Sequence, residues 1–210
     1  MAVGAGREGR EVMRPGDPVG WPGLIALGLG FVLFLAALFA ARLRGARKPE
    51  GGGGQRVNRS WIGILVQGLG IGLSSFGPQN IALDPASPLA LGEAAIVAAL
   101  MAATVGLFFA ASTTMGKNWS LVARTRSDHS LVTDGPFGYV RHPIYVALFL
   151  FMIAIAIAAG HTQHLLFGVP IFALGTWLRI GHEERLLREM FGADYDDYAA
   201  RVKRFVPGIF

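Results

Sequence analysis

Charge-free apolar blocks alternate with short polar stretches along this chain, and each block can be read on its own as a helix. Gly23 to Ala41 holds no Asp, Glu, Lys or Arg, and ~20 such residues in a helix cross a hydrocarbon layer about 30 Å thick. Trp61 to about Leu83 is a second, glycine-rich block, and Leu89 to Met115 is a third, with Glu93 near one end. Pro143 to Ala159 and Leu165 to Ile180 are two further blocks, close to the short limit of ~17 residues for a span. The pattern predicts about five spans.

Past the fifth block the chain reads "GHEERLLREMFGADYDDYAARVKRFVPGIF". Leu187, Phe191, Tyr195, Tyr198, Val202 and Phe205 recur at steps of three or four, which is one face of a helix. Gly192 is expected to interrupt it, with Asp194 as the N-cap of the restart. The stretch carries too much charge to span, so it reads as a helix lying on the membrane surface or over the bundle. The predicted fold class is therefore all-α: a polytopic membrane helix bundle of about five transmembrane helices with a C-terminal interfacial or capping helix.

At the N-terminus Arg7, Arg10 and Arg14 are mixed with Glu8, Glu11 and Asp17, and no small-residue cleavage site follows Ala41, so the first block reads as an uncleaved span. Pro49 and the tetraglycine Gly51 to Gly54 make Lys48 to Asn58 a flexible linker. The expected organisation is an N-terminal span with a basic linker over residues 1–60 and a core over residues 61–210.

Composition agrees with a membrane protein. The chain is 52% hydrophobic and 16% charged, with a mean hydropathy of +0.46, where soluble domains carry roughly a quarter charged residues. The net charge of +5 comes from basic residues clustered at span ends, which suits anionic headgroups and argues against a nucleic-acid partner. Arg42, Arg44, Arg47, Lys48, Arg56 and Arg59 follow the first block; Lys117, Arg124, Arg126 and Arg141 follow the third; Arg179, Arg185, Arg188, Arg201, Lys203 and Arg204 lie at or after the end of the fifth. The positive-inside rule puts these three regions in the cytoplasm and the N-terminus outside. There is no cysteine, hence no thiolate chemistry. His161 and His164 fall at the other end of the bundle without ligating neighbours, so they read as solvated loop residues and no metal site is expected.

The glycines Gly63, Gly68, Gly70 and Gly72 suit close helix packing. Gln67 and Glu93 are polar groups at or near membrane depth, which marks functional candidates, although Glu93 lies near enough to a span end to reach headgroups. More telling is Gly116 to His142, a polar connection too long to be a plain turn. It ends in "LVTDGPFGYVRHPIY", where Pro143 can open the fourth helix, leaving His142 at its cap, Arg141 at the membrane surface and Tyr145 one turn on. Arg141 and His142 alone suit headgroup contact. On the same side, however, follow His182, Glu183 and Glu184, and paired carboxylates beside a bilayer are costly unless they bind something polar or cationic.

Taken together, His129, "LVTDGPFGYVRHPIY" and "EERLLREMFGADYDDYAARVKRFVP" resemble the isoprenylcysteine carboxyl methyltransferase group of integral-membrane methyltransferases, itself similar to bacterial phospholipid N-methyltransferases. The resemblance covers Gly116 to Pro207. It implies a cytosol-facing pocket for S-adenosylmethionine, capped by the C-terminal helix, with His129, Leu131, Val132, Gly135, Pro136, Tyr139, His142, Tyr145, Glu183 and Glu184 at cofactor-contacting positions. It implies catalytic roles for Arg141 and Arg201, which would hold an acceptor carboxylate, and for Glu184, which would serve as a base for an amine acceptor. The implied acceptor is lipophilic, of the isoprenylcysteine carboxylate type, arriving from lipid while the cofactor arrives from the cytosol. Departures from the group's pattern, Phe137-Gly138 and Arg201-Val202-Lys203 with proline only at Pro207, bear on the acceptor. The alternatives are a phospholipid N-methyltransferase, a membrane reductase using a nicotinamide phosphate cofactor with Arg124 and Arg126 on the phosphate, and a non-enzymatic headgroup binder.

Overall fold

The computed structural model describes residues 16–46, 60–116 and 130–209. A two-residue strand β1 (Pro18–Val19) leads into α1 (Trp21–Ala46). Helix α2 (Ser60–Leu73) is followed by strand β2 (Asn80–Ile81), then α3 (Pro88–Met115), α4 (Pro143–Ala158), α5 (Leu165–Phe191) and α6 (Ala193–Arg201). The protein is an all-α membrane bundle, apart from the parallel pairing of Pro18 with Asn80 and Val19 with Ile81.

Five apolar helices are present, but among the described residues only three are long and apolar enough to cross a membrane: Trp21–Arg44, Pro88–Met115 and Thr162–Phe191. Helices α2 and α4 have 14 and 16 residues; all five apolar blocks fold as helices, three of them long and two short. The second block stops at Leu73, not Leu83, in a turn at Ser74 and Ser75, whose hydroxyls donate back to the carbonyls of Gly70 and Gly72. The fifth runs about three turns past Ile180. Gly192, at φ 52°, breaks it and itself caps α6, so Asp194 lies inside the helix and is not its N-cap. The helix also ends at Arg201, which leaves Val202 and Phe205 off the helical face expected for them.

Two packing groups form. Helices α1, α3 and α4 make one, with Phe34 edge-on to Phe108 at 5.0 Å and stacked on Phe151 at 6.0 Å. Helix α2 pairs with α5. There a Cβ on Gly70 would lie 2.6 Å from the Phe172 nitrogen, and one on Gly175 would lie 2.6 Å from the Gln67 nitrogen and 2.8 Å from the Gly63 carbonyl. Gly68 and Gly72 face open space, so only part of the glycine series serves packing. Gly175→Ala is expected to cost about 1–3 kcal/mol by overpacking, read as a lower thermal midpoint in detergent. Contact between α4 and α5 is thin, and a cavity lies there. Large apolar side chains such as Leu29, Leu65, Leu166 and Phe167 point outward and exposed, as lipid-facing residues do.

At the end away from α6, the N-terminal strand crosses the bundle, Gly16 donating to the Pro78 carbonyl and Asp17 to that of Gly160. His161, expected to be solvated, is buried there: its ring sits against Gly16 and Gly77, where a Cβ would come within 2.4 and 2.2 Å of it. Glu93 turns inward instead of reaching headgroups, accepting from the Gly20 N–H at the start of α1 at 3.3 Å.

Candidate functional site

The polar motif folds as a sequence of locally dictated turns. Gly135 adopts φ 56°, where a Cβ would also lie 2.8 Å from Thr114 Oγ1, so glycine fits on two counts. Pro136 then sits in the first turn of a short 3-10 helix, Gly135–Gly138, which buries Phe137. His142 caps α4 in non-helical backbone, and Pro143 opens the helix.

The C-terminal segment returns to this turn and is tied to it. The Arg141 and His142 N–H groups donate to the carbonyls of Lys203 and Arg204 at 2.8 and 3.1 Å, and the Tyr198 hydroxyl donates to the Phe137 carbonyl at 2.7 Å. The Arg141 guanidinium donates from Nη1 to the carbonyls of Ala199 and Val202 at 2.7 and 2.6 Å, and from Nη2 to Glu184 at 3.0 Å. Glu184 is 2% exposed and is the hub of the cluster. Arg204 grips it with Nε and Nη2 at 3.0 and 2.8 Å, and His142 Nε2 lies 3.2 Å from Oε1. A buried carboxylate is tolerated only with such partners.

Glu183, one position earlier, belongs to a second network. It accepts from the Tyr145 hydroxyl and pairs with Arg179 Nη2 at 3.7 Å. Arg179 lies over the Tyr145 ring, 5.0 Å from its centroid, and donates from Nη1 to Gln67 Oε1 at 3.0 Å. The Gln67 amide in turn donates to Thr176 Oγ1 at 2.7 Å. Gln67, marked by its depth in the sequence, thus ties α2 to the site. Gln67→Leu removes the acceptor for Arg179 and the donor for Thr176 in a buried place, and is expected to cost about 1–3 kcal/mol in thermal stability. Gln67→Glu keeps the acceptor for Arg179 and is expected to recover part of the loss.

Between α4 and α5 lies a cavity of about 380 Å³. Its polar end is formed by Arg141, His142, Tyr145, Arg179, Glu183, Tyr195 and Tyr198; Leu131 and Val132 of the loop and Leu187, Met190 and Phe191 of α5 line it too. Phe34 and Leu38 of α1, Phe108 and Met115 of α3, and Ile144 and Leu148 of α4 add apolar lining. Burial pushes the hydroxyls of Tyr195 and Tyr198 up to about 12, so both remain protonated phenols at neutral pH.

Of the residues marked from sequence, Leu131, Val132, Arg141, His142, Tyr145 and Glu183 come together on this wall. Glu184 stands behind it, held by cations, and so is not placed as a free base. Gly135 and Pro136 shape the turn without lining the cavity. Tyr139 is 72% exposed and off the wall. Arg201 is exposed, donating to the Asp197 carbonyl one turn back; its position at the solvent side of α6 keeps it from the cavity. His129 lies outside the described residues, as do Arg124 and Arg126 and the linker Lys48 to Asn58. Sequence reading missed Arg179, Tyr195 and Tyr198 as wall residues. The one signal for them was spacing, since Arg179 stands four residues before Glu183 and the two tyrosines lie on the apolar face already noted.

Three comparisons bear on this geometry. The model of the isoprenylcysteine carboxyl methyltransferase (ICMT) family matches residues 95–189. The Protein-S-isoprenylcysteine O-methyltransferase of Schizosaccharomyces pombe is 37% identical over 98 residues, covering 44% of this chain and 40% of the relative. The nickel-cobalt-cadmium resistance protein NccN of Alcaligenes xylosoxydans xylosoxydans is 34% identical over 113 residues, covering 53% of this chain and 52% of its own length. The chain thus spans about half or less of these relatives. The solved structure of the eukaryotic intramembrane Ras methyltransferase ICMT shares its fold, with a TM-score of 0.54 at 19% identity over 90% of this chain and 68% of that one. The resemblance read from the motifs is borne out over the stretch that holds α4, most of α5 and the turn between α3 and α4.

Proposed function

We propose that this chain, whose residues 95–189 carry the isoprenylcysteine carboxyl methyltransferase family pattern, is an integral-membrane methyltransferase that uses S-adenosylmethionine to methylate a lipophilic acceptor, a carboxylate of the isoprenylcysteine type. The observation that carries this reading is the mixed lining of one cavity, which brings Arg141, His142 and Glu183 of the two motifs together with the apolar side chains of Phe34, Leu38, Phe108 and Leu148.

The residues present fit the cofactor. Arg141 and Arg179 match its carboxylate, Glu183 its ammonium or ribose hydroxyls, and Leu131 and Val132 a flat adenine. When bound, S-adenosylmethionine supplies an activated methyl group on a sulfonium. The chain's own part is to hold, orient and dry the site. Glu184 locks Arg141, His142 and Arg204 in place, the C-terminal segment closes over them, and Phe34, Leu38 and Phe108 exclude water from the acceptor's side. A carboxylate acceptor needs no base, and positioning together with desolvation then supplies most of the rate.

The site end faces the cytoplasm in this reading. Arg42, Arg44, Arg185, Arg188, Lys203 and Arg204 gather there, while the opposite turns, residues 74–88 and 159–164, hold no Lys or Arg. Titration calorimetry of the detergent-solubilised protein with S-adenosylmethionine is expected to give saturable binding, with the nicotinamide phosphate cofactor inert. Binding of the nicotinamide cofactor in its place would turn the reading to a reductase.

A further inference from the structure

Helix α2 lies outside residues 95–189, the stretch that matches the family model, yet one of its side chains bonds to a residue of the cavity wall. Gly63 and Gln67 stand four residues apart on α2, and Gly175 and Arg179 four apart on α5, so each pair lies on one helix face. The two faces meet closely. A Cβ on Gly175 would crowd the Gln67 backbone, and one on Gly63 would overlap Arg179 Cγ and lie 3.0 Å from the Gly175 carbonyl. The Arg179 stem therefore runs along α2, in space that Gly63 leaves by having no side chain, and its guanidinium ends at Gln67.

Gln67 is 3% exposed, and both ends of its amide are used. Oε1 accepts from Arg179 Nη1 at 3.0 Å, and Nε2 donates to Thr176 Oγ1 at 2.7 Å. A guanidinium can only donate, so the amide is fixed with its oxygen toward Arg179. The other terminal nitrogen, Nη2, lies 3.7 Å from Glu183 Oε1, and the guanidinium covers the Tyr145 ring. Glu183 is the more accessible of the pair, its side chain 25% exposed against 11% for Arg179, and it accepts from the Tyr145 hydroxyl.

We infer that Gln67 is a positioning residue of the site: by taking Nη1 it fixes the direction of the Arg179 guanidinium, and Arg179 in turn fixes the Glu183 carboxylate that the cavity presents. An arginine side chain has many rotamers, and each donor tied down beforehand removes freedom that ligand binding would otherwise have to remove. Without the Gln67 oxygen, Nη1 is drawn to Glu183, the carboxylate already paired with Nη2, and Glu183 turns away from Tyr145. The inference rests on the methyltransferase reading, in which Glu183 meets the ammonium or ribose hydroxyls of S-adenosylmethionine and Arg179 its carboxylate.

Gln67→Leu and Thr176→Val both remove the bond between the Gln67 amide and Thr176, and only the first also removes the bond to Arg179. Calorimetric titration of the detergent-solubilised full chain with S-adenosylmethionine compares them. Gln67→Leu is expected to weaken binding about tenfold and Thr176→Val by less than about threefold, although both lower the thermal midpoint. Gln67→Glu, which returns an oxygen to Arg179, is expected to bring the affinity back to within about threefold of wild type. Gln67→Met keeps the length of the side chain and replaces Gln67→Leu where leucine prevents folding. Wild-type affinity in the leucine or methionine variant overturns the inference and leaves the methyltransferase reading standing. Equal weakening by Thr176→Val overturns it as well, since Gln67 then serves packing alone. Wild-type protein that does not bind S-adenosylmethionine overturns the methyltransferase reading itself and this inference with it.

Discussion

Glu184→Ala is expected to abolish methyl transfer and to unfold the C-terminal closure of the site. The carboxylate is buried and takes hydrogen bonds from Arg141 and, twice, from Arg204, with His142 Nε2 at 3.2 Å. Deleting it leaves positive charge facing positive charge in a place water reaches poorly. Removing one partner of a buried ion pair typically costs about 3–5 kcal/mol, and several groups depend on this one. The segment from Val202 to Phe205 is held to the Arg-His-Pro turn by the backbone bonds of Arg141 and His142 and by Arg204, so it should detach first. Thermal unfolding in detergent, together with limited proteolysis read at the C-terminus, checks this. Glu184→Gln keeps one acceptor oxygen and the shape, and is expected to fall between wild type and Glu184→Ala. A near-neutral midpoint for the alanine variant would mean that the cations find other partners and that Glu184 is not the hub. In a double-mutant cycle, Arg204→Ala should add little on top of Glu184→Ala, since both remove the same bond.

Arg141→Lys is expected to lower turnover about 10²-fold while keeping the charge, the size of loss that a displacement of about 1 Å in a positioned group can produce. One guanidinium here reaches two carbonyls of the C-terminal segment and a carboxylate of α5, and its residue lines the cavity. An ammonium places its three donors on a single atom and cannot span those directions. The loss should appear in affinity for a carboxylate ligand as well as in rate, with a midpoint lowered less than by Glu184→Ala. A lysine variant with wild-type kinetics would show that charge alone suffices. Arg201→Ala offers the contrast in stability: exposed and bonded only to the Asp197 carbonyl, it should stay within about 0.5 kcal/mol of wild type.

The apolar blocks, the Gly135-Pro136 turn, the start of α4 at Pro143 and the break at Gly192 were all legible in the sequence, because each is decided within a few residues. Transfer of a charge-free stretch into lipid sums over its own side chains, and the backbone limits of glycine and proline need no distant partner. Helix ends were less legible. The early stop at Leu73, where Ser74 and Ser75 form a turn bonded back to Gly70 and Gly72, had no clear local mark, and the charged turns of α5 past Ile180 find partners on Tyr145 of α4, on Arg141 before it and on Arg204 of the C-terminal segment.

The sequence by itself determined that this chain is a helical membrane bundle with a polar motif set against its spans, and which residue types gather at that end. Only the tertiary structure decided what each does. Glu183 and Glu184 are neighbours in sequence, but successive helical positions point about 100° apart, so the rotation of α5 against α4 sends one to Tyr145 at the cavity wall and the other into an arginine cluster behind it. Arg141 meets partners 43 to 61 residues away, and Gln67 meets Arg179 across 112. Such pairings follow from how helices cross, which no local pattern encodes. Tyr195 is the extreme case: in sequence it is one more residue of an apolar face, and only the packed structure shows that it is buried with a hydroxyl that has no partner among the described residues.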